Sequence, residues 1–131
     1  MVKIIAQIEL LLKMKILHIA ECAGGVERYL AMLMPLLEKM GVSQYFLCSQ
    51  NYDKDKFGQI IDGVELMDLR QKFSPLYVIK KIFQIRRWIK KIAPDILYCH
   101  SSFAGGLGRI AALGIGCKVV YNPHGWAFNI A

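Results

Sequence analysis

The sequence predicts an α/β protein built on an open parallel sheet of the Rossmann-like kind. From residue 14 onward, short apolar segments alternate with longer amphipathic segments, and a glycine or a proline separates most of them. Repeated strand–helix units of this kind form parallel sheets with helices on both faces. A length of 131 residues suits one domain, and a hydrophobic content of 55% is enough to build a core.

Five strands and three helices are expected between Lys15 and Asn122. The strands are short and apolar, with predicted bounds Lys15–Ala20, Gln44–Ser49, Val64–Leu69, Asp95–Cys99 and Lys118–Asn122. The helices carry apolar residues at helical spacing, with predicted bounds Val26–Met40, Pro75 to the residue before Pro94, and Phe103–Leu113. The polar segment Asn51–Ile61 is expected to be a loop with a short helix.

The two ends of the chain fit this pattern less well. Met14 begins a strand in the way that many Rossmann domains begin, so residues 1–13 are interpreted as a leader or a misassigned start. At the other end, the fifth strand is expected to be left as an uncovered apolar edge. Residues 14–131 are therefore interpreted as an incomplete domain, which is expected to dimerise or aggregate when isolated.

Composition excludes several classes of function. The cysteines form no CxxC pair, which argues against a zinc or thioredoxin site and favours a reducing compartment; they are Cys22, Cys48, Cys99 and Cys117. No apolar run reaches the ~18 residues of a membrane-spanning helix. We predict a cytoplasmic protein that requires no metal and no cofactor.

The positive charge is concentrated in one predicted helix. The net charge is +7, and six cations lie between Leu76 and Ile92 without an acid among them: Lys80, Lys81, Arg86, Arg87, Lys90 and Lys91. Such a chain is not a generally cationic nucleic-acid binder. The cationic face also carries Ile79 and Phe83. It is either a solvated face or a site for anionic lipid at the inner face of the membrane.

Three loops with small residues or histidines follow predicted strands. They contain Gly24 and Gly25 after the first strand, His100, Ser101 and Ser102 after the fourth, and His124 and Gly125 after the fifth. Ligands of open parallel sheets bind at the carboxyl ends of the strands. These seven residues are therefore the candidate binding residues.

Each candidate also has a structural interpretation. Gly24 and Gly25 present backbone N–H groups suited to a phosphate, or they form an ordinary strand-to-helix turn. His100 and His124 either face a ligand or bond a loop carbonyl, whereas His18 is expected to be a hydrogen-bonded core residue. The serines after His100 are candidates for helix capping. The absence of GxGxxG, Walker A and GxSxG motifs argues against dinucleotide, P-loop and serine-nucleophile chemistry.

Four segments together resemble the N-terminal domain of glycosyltransferase family 4. They are Met14–Glu21 (MKILHIAE), Gly24–Leu30 (GGVERYL), Asp95–Gly105 (DILYCHSSFAG) and Tyr121–Phe128 (YNPHGWAF). The resemblance implies a GT-B fold and retaining transfer from a nucleotide sugar, in the manner of bacterial surface-polysaccharide enzymes. Phe103 stands where a lysine is usual in that group, and Trp126 stands where a phenylalanine is usual.

The resemblance also implies roles for the candidate residues. It places His124 near the transferred sugar as the catalytic residue, with Gly125 beside it. Gly24 and Gly25 lie against the donor diphosphate or the acceptor, and the cleft is lined by His100, Ser101 and Ser102. The acceptor is lipid-linked or a glycan.

The family's second domain, with its Glu-x7-Glu motif, is missing from the sequence. We therefore expect the chain to be inactive alone and to need that domain or a partner chain. The alternative function is a non-catalytic module that docks on a membrane and binds a partner.

Overall fold

The computed structural model describes residues 2–12, 14–21, 25–49, 62–69, 73–100 and 102–122. Four helices and five strands occur in these ranges. In chain order they are α1 (Val2–Leu12), β1 (Lys15–Ala20), α2 (Gly25–Lys39), β2 (Ser43–Cys48), β3 (Gly63–Leu66), α3 (Pro75–Ile92), β4 (Ile96–His100), α4 (Ser102–Ala111) and β5 (Lys118–Asn122).

The five strands form one sheet in the order β3-β2-β1-β4-β5. All neighbouring strands are parallel, which confirms the predicted fold class. His18 in the central strand pairs with Phe46 on one side and with Tyr98 on the other. His100 at the end of β4 pairs with Asn122 at the end of β5.

Side chains alternate between the two faces of the sheet along β1. Leu17 and Ile19 belong to the larger core cluster, to which α3 and α4 contribute. Ala20 lies on the other face in a smaller cluster with Leu30 of α2, and the ring of His18 meets Phe46 there. The central strand is therefore buried on both faces, as expected in a parallel sheet.

The basic helix α3 has the bounds that the sequence predicts. Pro75 occupies the first turn, where its missing N–H costs no hydrogen bond. Ala93 ends the helix in the left-handed conformation, with φ 52°, and its N–H donates to the Ile89 carbonyl. Ile85 and Ile89 are fully buried, and each contributes roughly 2 kcal/mol through that burial.

Helix α4 packs unusually close to the sheet because it lacks side chains at two positions. A Cβ at Gly105 would lie 2.5 Å from a ring carbon of Tyr121, and one at Gly108 would lie 2.9 Å from Cys99 Sγ. Both distances are too short for real side-chain contacts. Gly105 and Gly108 thus allow α4 to lie close against the sheet.

Several predicted element bounds differ from the structure. α2, β2 and β4 are each displaced by one residue, and the differences at β3 and α4 are larger. β3 ends at Leu66 rather than Leu69. The Met67 N–H still donates to the Cys48 carbonyl, and the side chains of Met67 and Leu69 are buried in the α3-side core. α4 ends at Ala111 rather than Leu113, and turns follow it.

The other expectations about the organisation of the chain stay predictions. The expected loop Asn51–Ile61 lies outside the described residues. Val2–Gln7 of α1 are exposed, and the interpretation of residues 1–13 as a leader remains a prediction. Val119 on β5 is exposed, and self-association through that edge also remains a prediction.

The described cysteines behave as small core residues. Cys48 and Cys99 are buried, Cys117 is half-buried, and none of these three forms a disulfide. Burial raises the pKa of Cys99 to about 12. Its thiol is therefore protonated and unreactive at neutral pH.

Candidate functional site

The order of the strands reverses between β1 and β4. The connections after these two strands leave in opposite directions, and this opens a crevice at their carboxyl ends. His100 ends β4, Asn122 ends β5, and the helices α2 and α4 begin at Gly25 and Ser102. Strand ends and two helix N-termini therefore share one edge of the sheet.

Three of the seven predicted binding residues lie within the described ranges. Gly25 and Ser102 are the first residues of α2 and α4, which places their backbone at the edge, and His100 is the last residue of β4. The other four lie outside the described residues, so their roles stay predictions: Gly24, Ser101, His124 and Gly125.

The side chain of His100 is buried beneath the crevice. Its Nε2 lies 3.2 Å from Nδ1 of His18, which is also fully buried. Its ring stacks on Tyr98 with centroids 4.1 Å apart and an interplanar angle of 12°. The prediction that His18 is a hydrogen-bonded core residue is confirmed. His100 forms part of the floor of the crevice and supports the side chains around it.

A directed chain of hydrogen bonds runs from His100 to α2. Gln44 Nε2 donates to the Met34 carbonyl at 2.9 Å, which fixes the orientation of the amide. Gln44 Oε1 lies 3.0 Å from His18 Nε2 and must therefore accept its proton. His18 Nδ1 is then the acceptor for the Nε2 proton of His100. The bonding pattern thus assigns one tautomer to each ring.

The environment of His18 keeps its ring neutral. Burial lowers the pKa of His18 from 6.5 to about 4, against the opposing effect of the Gln44 hydrogen bond. A neutral ring at pH 7 agrees with the acceptor role of its Nδ1. The floor of the crevice is therefore polar and uncharged at this point.

Two tyrosines that the sequence reasoning did not select lie beside His100. The hydroxyls of Tyr29 on α2 and Tyr98 on β4 are 2.6 Å apart, and the side chain of Asn122 also hydrogen-bonds Tyr29. Burial, followed by the bond with Tyr98, raises the pKa of Tyr29. The sequence contained one indication of Tyr98. It lies two residues before His100, so the two side chains are on the same face of β4.

The six cations of α3 have different environments. Lys81 is buried, with its Nζ 5.4 Å from the centroid of the Tyr77 ring. Arg86 donates to the carbonyls of Ala111 and Leu113 at 3.0 and 2.6 Å, and so satisfies the C-terminus of α4. Both side chains are engaged within the protein, and membrane binding through them stays a prediction. The remaining four are exposed: Lys80, Arg87, Lys90 and Lys91.

Three large apolar side chains share the exposed face of α3 with these four cations. Leu76, Ile79 and Phe83 are 82%, 52% and 64% exposed. Their spacing of three or four residues continues to Arg87 and Lys90, so the apolar and cationic groups form one stripe. The prediction that Ile79 and Phe83 lie among the cations is confirmed.

The described part of the chain shows neither a metal cluster nor a spanning helix. Across those ranges, histidine, cysteine, aspartate and glutamate side chains nowhere gather in threes suited to a metal ion. None of the described helices combines the length and apolarity needed to cross a membrane.

The fold defines a Rossmann-like domain with a crevice at its switch point. The family model for glycosyltransferase family 4 matches residues 23–130. The chain therefore belongs to glycosyltransferase family 4, and the resemblance seen in the sequence is confirmed.

A curated relative from Escherichia coli is similar to most of the chain. It is the UDP-Gal:alpha-D-GlcNAc-diphosphoundecaprenol alpha-1,3-galactosyltransferase, 30% identical over 122 residues. The match covers 89% of this chain and 31% of the relative. The chain thus spans about a third of the length of this enzyme.

Solved structures of glycosyltransferases share the fold. A glycosyltransferase from Rickettsia africae superposes with a TM-score of 0.74 at 20% identity, covering 87% of this chain and 30% of that one. MurG from Acinetobacter baumannii superposes with a TM-score of 0.65 at 19% identity, covering 82% and 34%. These likenesses confirm the Rossmann-like fold of a GT-B enzyme.

Proposed function

We propose that the chain is the N-terminal, acceptor-side part of a retaining glycosyltransferase. The observation that carries this proposal is the family match over residues 23–130, which includes β4, β5 and the starts of α2 and α4 at the switch-point crevice. The name of the E. coli relative gives UDP-Gal as donor and a GlcNAc-diphosphoundecaprenol as acceptor. We therefore propose a nucleoside diphosphate sugar as the donor class. The proposed acceptor class is a lipid-linked saccharide, and the alternative acceptor is a free glycan.

The residues at the edge have distinct proposed roles. The backbone N–H groups of Gly24 and Gly25 lie against the donor diphosphate or the acceptor, because a helix N-terminus attracts anions. His124 approaches the transferred sugar. Gly125 has no side chain, so the backbone beside His124 can approach the sugar closely. Ser101 and Ser102 line the cleft where α4 begins, and His100 forms its floor.

The protein's main contribution to the reaction is proposed to be positioning. Charge grows on the leaving diphosphate during transfer, and hydrogen-bond donors fixed in advance stabilise it. The sequence holds no Glu-x7-Glu motif, so the groups that hold the diphosphate must come from a second domain or a partner chain. The 131 residues alone are therefore proposed to be inactive, with the complete enzyme working in the cytoplasm at the inner face of the membrane.

Removal of the His124 side chain is expected to reduce transfer in the complete enzyme about a hundredfold or more, the usual effect of deleting one donor to developing charge. The measurement is kcat/KM for His124→Ala. Attachment of the same variant to anionic vesicles is the control and is expected to be unchanged, since His124 lies far along the chain from α3. A variant with the activity of the wild type would exclude His124 from the site.

A second candidate function is supported by the exposed face of α3. Four exposed cations and three exposed apolar side chains lie on this face, without an acid between Leu76 and Ile92. Such a surface fits an anionic membrane, where cations meet headgroups and apolar side chains enter the interface. The second candidate function is therefore a non-catalytic module. Such a module would dock on the membrane through α3 and bind a partner, without transferase activity. In a transferase, the same surface would bring a lipid-linked acceptor to the crevice.

A further inference from the structure

We propose that Tyr29, Tyr98 and Asn122 form a subsite for the hydroxyl groups of a neutral saccharide, on the α2 side of the switch-point crevice. The proposal rests on the proposed function, because it names the part of the crevice that receives the acceptor sugar. None of the three residues was selected from the sequence, and they come from three different elements.

The three side chains are held rigidly at the edge. The Tyr29 and Tyr98 hydroxyls are 2.6 Å apart, and Asn122 bonds Tyr29. The Tyr98 ring is stacked on His100, whose own position is fixed by His18. Tyr29, Tyr98 and Asn122 are all half-buried, so part of each is open to solvent. A rigid group of this kind loses little entropy when it binds a ligand.

The cluster has more hydrogen-bonding capacity than its two internal bonds use. Either tyrosine hydroxyl can be the donor in the bond between Tyr29 and Tyr98. Each hydroxyl carries one proton and two acceptor lone pairs, and the Asn122 amide carries two donor protons and an acceptor oxygen. The cluster can therefore both donate a hydrogen bond to a saccharide hydroxyl and accept one from it.

The chemistry of the cluster favours a sugar over a phosphate. It offers hydroxyl and amide groups, which both donate and accept, and saccharide hydroxyls do the same. It also offers aromatic rings, which pack against the apolar face of a pyranose. None of the three side chains carries a charge, whereas phosphate sites use charged donors such as arginine and lysine. The neutral ring of His18 beneath them adds no charge.

The test is a titration of the 131-residue chain with methyl N-acetyl-α-D-glucosaminide, followed through the tyrosine ring signals in NMR spectra. Saturable shifts are expected for Tyr29 and Tyr98. Tyr98→Phe keeps the ring but removes the hydroxyl, and is expected to weaken binding about tenfold. Tyr45→Phe is the matched control, because it removes the same atom from a tyrosine that packs against the opposite face of the sheet. It is expected to bind as the wild type does.

Several results would overturn the subsite. These are the absence of saturable shifts in the wild type, a Tyr98→Phe variant that binds normally, or equal shifts of the same signals by inorganic diphosphate. Asn122→Ala is the second variant and is expected to weaken binding as well, should Tyr98→Phe unfold. Unchanged transfer by a complete enzyme carrying Tyr98→Phe would contradict the subsite alone. Saccharide binding without any transfer by the complete enzyme would contradict only the proposed function.

Discussion

Replacement of Lys80, Arg87, Lys90 and Lys91 by glutamine is expected to weaken binding of the chain to anionic vesicles by about two to three orders of magnitude at low salt. Each cation near such a surface contributes about 1 kcal/mol, so four contribute about 4 kcal/mol. The measurement is co-sedimentation with vesicles of phosphatidylglycerol and phosphatidylcholine. Lys81 and Arg86 are left in place, because the first is buried and the second bonds the end of α4.

The matched control removes four exposed cations from other elements. Lys3, Arg28, Lys39 and Lys118 are all exposed, and their replacement by glutamine lowers the net charge by the same amount. This control is expected to lose little affinity, because those side chains are divided among three different elements. Wild-type binding is also expected to fall as salt is added. Equal losses in the two variants would show that net charge alone attracts the chain, and would remove the docking role of α3.

Acidification is expected to destabilise the fold through His18. The pKa of His18 is about 4 in the folded chain and 6.5 for an unperturbed histidine. As the pH falls from 6.5, the unfolded chain takes up the proton first, so the free energy of unfolding decreases until the pH reaches about 4. The difference between the two pKa values corresponds to about 3 kcal/mol. Below pH 4 both states are protonated and His18 causes no further loss.

The measurement is urea unfolding of the chain at several pH values between 4 and 6.5. The control variant is His18→Gln, whose amide can donate to Gln44 and accept from His100 without titrating. The wild type is expected to lose about 3 kcal/mol more than this variant over the interval. Parallel pH curves for the two proteins would exclude a buried, neutral His18.

Much of the fold could be predicted from the sequence because short apolar strands and amphipathic helices have clear patterns. The bounds of β1 and β5 agree with the structure. The prediction for β3 was wrong at its end, where Met67 and Leu69 are apolar for a different reason. Their side chains pack in the core beside α3. A buried loop residue is as apolar as a buried strand residue, so the sequence pattern alone does not distinguish the two.

The candidate site could be predicted in part. Topology brings the ends of parallel strands together, so the sequence alone placed Gly25, His100 and Ser102 at one edge. It could not show that the ring of His100 turns inward to meet His18, a residue 82 positions away. The contact between Tyr29 and Tyr98 spans 69 positions and was equally invisible. Such contacts depend on how distant elements pack, which residue spacing does not encode.

The acceptor-side assignment is tested most directly by equilibrium binding of the 131-residue chain to two ligands. These are a short-chain polyprenyl-diphospho-N-acetylglucosamine and UDP-galactose. We predict that the chain binds the lipid-linked sugar more tightly than the same polyprenyl diphosphate without its sugar, and that it transfers no galactose when both ligands are present. Binding of UDP-galactose without any preference for the lipid-linked sugar, or transfer of galactose by the chain alone, would contradict the assignment.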